Sequence, residues 1–219
     1  MDFIIHIFTF ILTILFGWLI YQKYKNKSHQ TICDEIYDQK PLYTQQKVIR
    51  NLLSKQECDS IIQEGEEYAS YYGWTTKRHD DYPTTDNQID KQWRCYNNII
   101  YIVKKRLYPE YEKLFHIHTK KIHIEEVFLA KYNGNIAHAQ KELEPHVDGS
   151  EFSFIIALND NYKGGGTHFI EKNKTIHLNA GDVVIFCGQT RHAGLHVSEG
   201  IRYILPGFLY YGHCKQQLE

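Results

Sequence analysis

The sequence predicts a mainly β fold of jelly-roll type with α-helices flanking it. Three observations carry this. From Ile122 onward, short apolar runs of strand character recur between Gly- and Asn-rich turns. Before that point the apolar residues fall at helical spacing instead. The strands are many, short and joined by brief turns, which suits two antiparallel sheets packed face to face rather than a parallel sheet. A chain of 219 residues is long enough to bury one such core and still carry an appendage. The formal charge of -1 gives no general pull towards nucleic acid, and no nucleic-acid partner is expected.

Taken in order, the chain begins with Phe3 to Tyr21, FIIHIFTFILTILFGWLIY, which has no formal charge. At ~1.5 Å per residue the run nearly spans a bilayer core. Trp18 and Tyr21 suit the interface, and Lys23, Lys25 and Lys27 follow at once. It is too long for a signal peptide, starts with Asp2 and lacks Ala-x-Ala, so it reads as a transmembrane anchor. The expected organisation is an anchor with its basic flank over 1–27, a polar linker over 28–45, a helical support region over 46–121 and the β domain over 122–214.

Ser54 and Glu57 form a Ser-x-x-Glu capping box, with Cys58, Ile61, Ile62 and Gly65 at helical spacing behind it. This predicts a helix over about 55–70. Arg78 to Gln88 reads as a charged, Pro-containing loop. A second helix is predicted over about 89–107, broken at Pro109. The predicted strands are Ile122–Tyr132, the segment holding His146 and Asp148, Phe152–Leu158, Thr167–Ile170, Thr175–Leu178, Val183–Phe186, Ala193–Val197 and Ile201–Leu209. Gly164–Gly166 reads as a hairpin turn; no Lys-Ser/Thr and no helix follow, so it is not a phosphate loop. The five cysteines are scattered, without a Cys-x-x-Cys pair, and make no disulfide framework. The loose set His116, His118 and His123 is interleaved with Lys120 and Lys121 and reads as a solvated segment.

The chemistry concentrates between Glu144 and Tyr211. His146 and Asp148 are two apart, so on a strand they share a face. His192 follows 44 residues after Asp148. Two imidazoles and one carboxylate form the facial triad that holds non-haem Fe(II) and leaves positions open. His196 is the competitor to His192 and is expected as its neighbour in or near the pocket. Arg202 lies ten residues past His192 among apolar neighbours. A guanidinium pulled inside needs an anionic partner.

His-x-Asp, a later His and an Arg ten beyond it, together with PHVDGSEFSFIIALN, YKGGGTHF, HAGL…GIRY, YPTTD and LYPEY, resemble the Fe(II)/2-oxoglutarate-dependent dioxygenases. The likeness is to the catalytic domains of procollagen lysyl hydroxylases and prolyl 4-hydroxylases. It implies a double-stranded β-helix, the cupin-like form of the jelly roll. It implies His146, Asp148 and His192 as metal ligands, Arg202 on the distal carboxylate of 2-oxoglutarate, Tyr132 near that co-substrate, and ascorbate as a supporting reductant. At the Arg202 position prolyl hydroxylases commonly carry Lys and lysyl hydroxylases Arg. Where the lysyl hydroxylase pattern has Asn, this chain has Ile155, which removes a polar contact to the co-substrate.

The function so implied is hydroxylation of a prolyl or lysyl side chain in a peptide or protein substrate, with 2-oxoglutarate decarboxylated to succinate. The alternatives are the same oxygenase chemistry on a lipid, sugar or other small molecule, and a non-enzymatic cupin-like or zinc-hydrolase domain. Arg202 discriminates, because a zinc hydrolase has no use for a buried Arg facing a 2-oxo acid. The three lysines after the anchor favour a cytosolic domain. A secretory substrate, and a sequon at Asn173 in a predicted turn, favour the lumen of the endoplasmic reticulum, which is the expected location.

Overall fold

The computed structural model describes residues 44–79 and 81–212. The predicted anchor at Phe3–Tyr21, its lysines, Cys33 and Cys214 lie outside these. Among the described residues no helix is long and apolar enough to cross a membrane.

The fold is mainly β, with three sheets whose strand pairs are all antiparallel. The strands in chain order are β1 (Gln46–Ile49), β2 (Asp86–Gln88), β3 (Ile122–Asn133), β4 (Leu143–His146), β5 (Phe152–Ala157), β6 (Lys163–Gly164), β7 (Thr167–Phe169), β8 (Lys174–Ile176), β9 (Val183–Cys187), β10 (His192–Gly194), β11 (Val197–Glu199) and β12 (Ile201–Tyr211). Six form the major sheet, ordered β1-β9-β5-β12-β3-β2. The minor sheet is β4-β10-β7-β8, and β11 pairs with β6 alone. Tyr132, Ile155, Phe169, Val184, Phe186 and Ile204 meet between the sheets, all buried. Each large side chain so buried contributes about 1.5–3 kcal/mol. This is the predicted jelly roll. Its major sheet also recruits β1 and β2 from the region read as helical support.

Helix α1 (Lys55–Tyr72) begins as the capping box requires: the Glu57 amide donates to the Ser54 hydroxyl at 3.2 Å, and the Ser54 amide donates back to the Glu57 carboxylate at 2.8 Å. It ends at Gly73, whose φ of 83° suits a residue without a Cβ. The second helical stretch departs from expectation at both ends. It starts later, at α2 (Tyr96–Ile102), because Ile89 still bonds Val127 in line with β2. It then passes through a π-helical turn, Val103–Leu107, into α3 (Tyr108–Phe115), with no break at Pro109. Pro109 sits in the first turn of α3, where its missing N–H and fixed φ are tolerated. In the wide turn before it the Tyr108 amide bonds the Val103 carbonyl, five residues back.

Two strand expectations also need correction. The predicted strand Ala193–Val197 is split into β10 and β11. Between them the Gly165 amide donates to the His196 carbonyl at 2.7 Å, and the Leu195 amide to the Gly166 carbonyl at 3.0 Å. The triple glycine is accordingly a crossing from the β6–β11 pair into the minor sheet rather than a hairpin. Gly164, Gly165 and Gly166 all have positive φ, and a Cβ on Gly164 would strike the His196 carbonyl. Cys58 and Cys95 are free thiols. Asn173 lies in the exposed turn between β7 and β8.

Candidate metal and co-substrate site

A cavity of about 530 Å³ opens between the two sheets. His146, Asp148, His192, Tyr132, Ile155 and Arg202 all line it. His146 ends β4, and His192 opens β10 directly opposite in the ladder. Asp148 is not on the strand with His146, as its spacing suggested. β4 stops at His146, and Asp148 follows in irregular chain held by its amide to the Gly188 carbonyl at 2.9 Å. The carboxylate nevertheless meets both rings: its Oδ1 lies 3.5 Å from His146 Nε2 and 3.8 Å from His192 Nε2. One donor atom from each residue falls within 4.8 Å of the others.

The second contacts of each imidazole fix its tautomer. His146 Nδ1 lies 2.7 Å from the Glu144 carbonyl, and His192 Nδ1 lies 2.9 Å from the Thr190 carbonyl. A carbonyl only accepts, so each Nδ1 carries hydrogen and donates. That leaves each Nε2, which faces Asp148, as the ring atom for a metal to take. Phe186 and Phe169 pack on His192, with ring centres 4.8 and 6.0 Å away. Burial pushes the Asp148 carboxyl up, but His192, His146 and Ser153 outweigh it and hold the group below its ordinary range. Burial also lowers His192, against the pull of Asp148, which favours the uncharged ring. Two imidazole nitrogens and one carboxylate match the donor set for Fe(II).

Arg202 enters the same cavity from β12 and is 3 % exposed. Its guanidinium lies 5.4 Å from the centre of the Tyr132 ring, and Nη2 is 3.4 Å from the Thr167 hydroxyl. Among the described residues it makes no ion pair, and its buried Nε has no hydrogen-bond partner. A desolvated cation with an orphaned donor aimed into a cavity fits a small dianion such as a 2-oxo diacid. Gly165 allows this approach, since a Cβ there would come to 3.3 Å from the Arg202 side chain. Tyr132 is buried beneath the guanidinium, and Ile155 gives the wall an apolar patch.

His196 is not in the pocket. Beyond β10 the chain turns away, and His196 is exposed against Glu142, Nδ1 to Oε2 at 3.0 Å. His118 is likewise exposed, and His123 binds the Gly212 carbonyl. Conversely, His79, Asp81, Tyr82 and Thr84 line the cavity, although the loop carrying them gave no chemical motif. The one available signal was the YPTTD stretch within it.

No family model matches the chain. It is 30% identical over 176 residues to a multifunctional procollagen lysine hydroxylase and glycosyltransferase of Caenorhabditis elegans, covering 72% of this chain and 23% of that protein. It is 30% identical over 202 residues to a procollagen lysyl hydroxylase and glycosyltransferase of Acanthamoeba polyphaga mimivirus, covering 86% and 21%. The chain thus spans less than a quarter of the length of these curated relatives. In fold it is similar to the viral collagen prolyl hydroxylase of Paramecium bursaria Chlorella virus-1, with a TM-score of 0.58 at 19% identity over 77% of this chain and 96% of that one. It is also similar to a Pseudomonas putida prolyl-4-hydroxylase, with a TM-score of 0.62 at 14% identity over 84% and 98%. With the fold, the His-Asp-His cluster and the sequence relatives in agreement, the chain belongs to the Fe(II)/2-oxoglutarate-dependent dioxygenase superfamily.

Proposed function

We propose that the chain hydroxylates a prolyl or lysyl side chain of a polypeptide, using Fe(II) and 2-oxoglutarate. One observation carries this: a buried His-Asp-His cluster and a buried arginine with no ion pair among the described residues open into one cavity. His146 Nε2, Asp148 Oδ1 and His192 Nε2 would hold the metal, which together with 2-oxoglutarate and dioxygen supplies the power to oxidise an unactivated C–H bond. The chain's own part is placement. The Glu144 and Thr190 carbonyls hold both imidazoles in the tautomer that leaves Nε2 free. Arg202, braced by Tyr132 and Thr167, takes the far carboxylate of the co-substrate. Phe128, Phe154, Ile155 and Phe208 keep water away from the reacting end.

The polypeptide substrate is supported by the named activities of the sequence relatives, which include procollagen lysine hydroxylase. Ascorbate as reductant and a lumenal, membrane-anchored location belong to the same reading. Their support is the family likeness and the apolar Phe3–Tyr21 run. The test is a peptide-array assay on the chain lacking residues 1–27, read by mass. Hydroxylated lysyl or prolyl peptides are expected. Succinate release with no peptide modified would overturn the polypeptide substrate.

A further inference from the structure

The cavity has an outer wall that the metal and co-substrate groups do not explain. It is the loop between α1 and β2. Thr75 and Asp86 close its ends as an antiparallel bridge, with amide-to-carbonyl distances of 3.1 and 3.0 Å in the two directions. A loop of this length with joined ends is the compact surface type that recurs at functional sites. Its interior is held by an ion triad. Arg78 Nε lies 3.1 Å from Asp86 Oδ1, and Arg78 Nη2 pairs with Glu126 on β3. The guanidinium also lies 5.5 Å from the centre of the Phe128 ring. Asp86 is fully buried and accepts the Thr84 hydroxyl as well. From the far side Gln140 accepts the Thr85 amide at 2.5 Å and donates to the Pro83 carbonyl at 3.3 Å.

A half-buried charge cluster of this kind adds little stability, because desolvation offsets much of the attraction. Its use is to enforce one geometry. Here that geometry sets Tyr82 against the metal site: its ring centre is 5.1 Å from that of His146. Tyr82 is 38% exposed and Val147 43%, so an aromatic and an aliphatic side chain flank His146 at the mouth. Asp81 lines the same rim.

We propose that Arg78 is a positioning residue for the substrate. By forking between Asp86 and Glu126 it fixes residues 81–86 of the loop so that Tyr82 and Asp81 form the wall holding the target side chain beside His146. This rests on the reading of the cavity as an oxygenase centre acting on a polypeptide. Arg78 does not line the cavity, and its effect is transmitted through the loop. A lysine cannot replace it, because a single ammonium lacks the planar fork that reaches both carboxylates.

The test compares the full chain with Arg78→Lys, Arg78→Met and Tyr82→Ala. Hydrogen exchange of the 76–84 segment is measured with Co(II) and 2-oxoglutarate present. 2-Oxoglutarate consumption by the Fe(II) enzyme is measured alone and with a synthetic Gly-X-Y repeat peptide containing lysine and proline. Both Arg78 variants should raise loop exchange and the peptide KM by at least about tenfold. Peptide-independent consumption should stay within about twofold, since triad and Arg202 are untouched. Tyr82→Ala should raise the peptide KM without raising exchange. Arg78→Lys, the milder change, decides the matter if Arg78→Met does not fold. Unchanged loop exchange, or raised exchange with an unchanged peptide KM, overturns the proposal. An unsubstituted enzyme that consumes 2-oxoglutarate but ignores the peptide overturns the polypeptide reading instead, and loop exchange alone then judges the role of Arg78.

Discussion

Replacing Arg202 should move stability and ligand binding in opposite senses. Without ligand, Arg202 is a buried cation with no carboxylate partner among the described residues and an orphaned Nε. Such a charge is a cost to the fold, relieved only in part by the Tyr132 ring and the long contact to Thr167. Arg202→Met keeps much of the volume and removes the charge, so the ligand-free protein should unfold at the same temperature or higher. Binding of 2-oxoglutarate should fall sharply. Losing one partner of a desolvated charge pair costs about 2–4 kcal/mol, or roughly 30- to 900-fold in Kd. Thermal unfolding of the Co(II)-loaded protein across a 2-oxoglutarate titration reads both effects. At a concentration of 100 times Kd, the unsubstituted protein should gain about 2.7 kcal/mol. The variant should gain no more than about 0.9 kcal/mol at the same concentration. Equal stabilisation of both proteins would refute the assignment, and a large loss of ligand-free stability would show that Arg202 is structural.

His146→Ala, Asp148→Ala and His192→Ala should each abolish Co(II) binding in a spectroscopic titration with the β core intact, whereas His196→Ala should bind as the unsubstituted protein does. Ser54→Ala should cost about 1 kcal/mol in denaturant unfolding, the usual value of an N-cap. The Ser54 backbone and hydroxyl hold the Glu57 carboxyl below its ordinary range. That contribution is therefore full above about pH 4.3 and fades as the pH falls through the depressed folded value; only its hydroxyl part is lost in Ser54→Ala, so the gap between the two proteins should narrow in acid but not close, because the Ser54 hydroxyl still accepts the Glu57 amide. Gly207→Ala should destabilise by about 1–3 kcal/mol, because the new Cβ would run into the Phe154 ring across the β12–β5 pair.

Much of the site was legible because its logic is short-range or compositional. His-x-Asp, the later His and Arg202 are residue types that only a few environments accommodate together, and the cavity contains all four. The capping box named the start of α1 to the residue. What escaped depends on contacts across the fold. Pro109 was read as a break because the π-helical turn before it leaves no mark in the sequence. His196 has strand spacing from His192, but the glycine crossing captures its carbonyl and turns the chain outward. His79, Asp81 and Tyr82 read as part of a charged, Pro-containing loop, since nothing local shows that Arg78 will meet Glu126, 48 positions later, and draw the segment over the cavity. Asp148 was placed rightly beside His146 for a reason that proved wrong. The strand ends first, and the Gly188 carbonyl supplies the hold.

The most direct test is the conversion of 2-oxoglutarate to succinate by the purified chain with Fe(II) under air, beside His192→Ala prepared identically. The structure predicts catalytic succinate formation by the unsubstituted protein, with many turnovers per chain, and none above background from the variant. Equal succinate from both, or none from an unsubstituted protein shown to hold iron, would contradict the assignment of this cavity as an oxygenase centre.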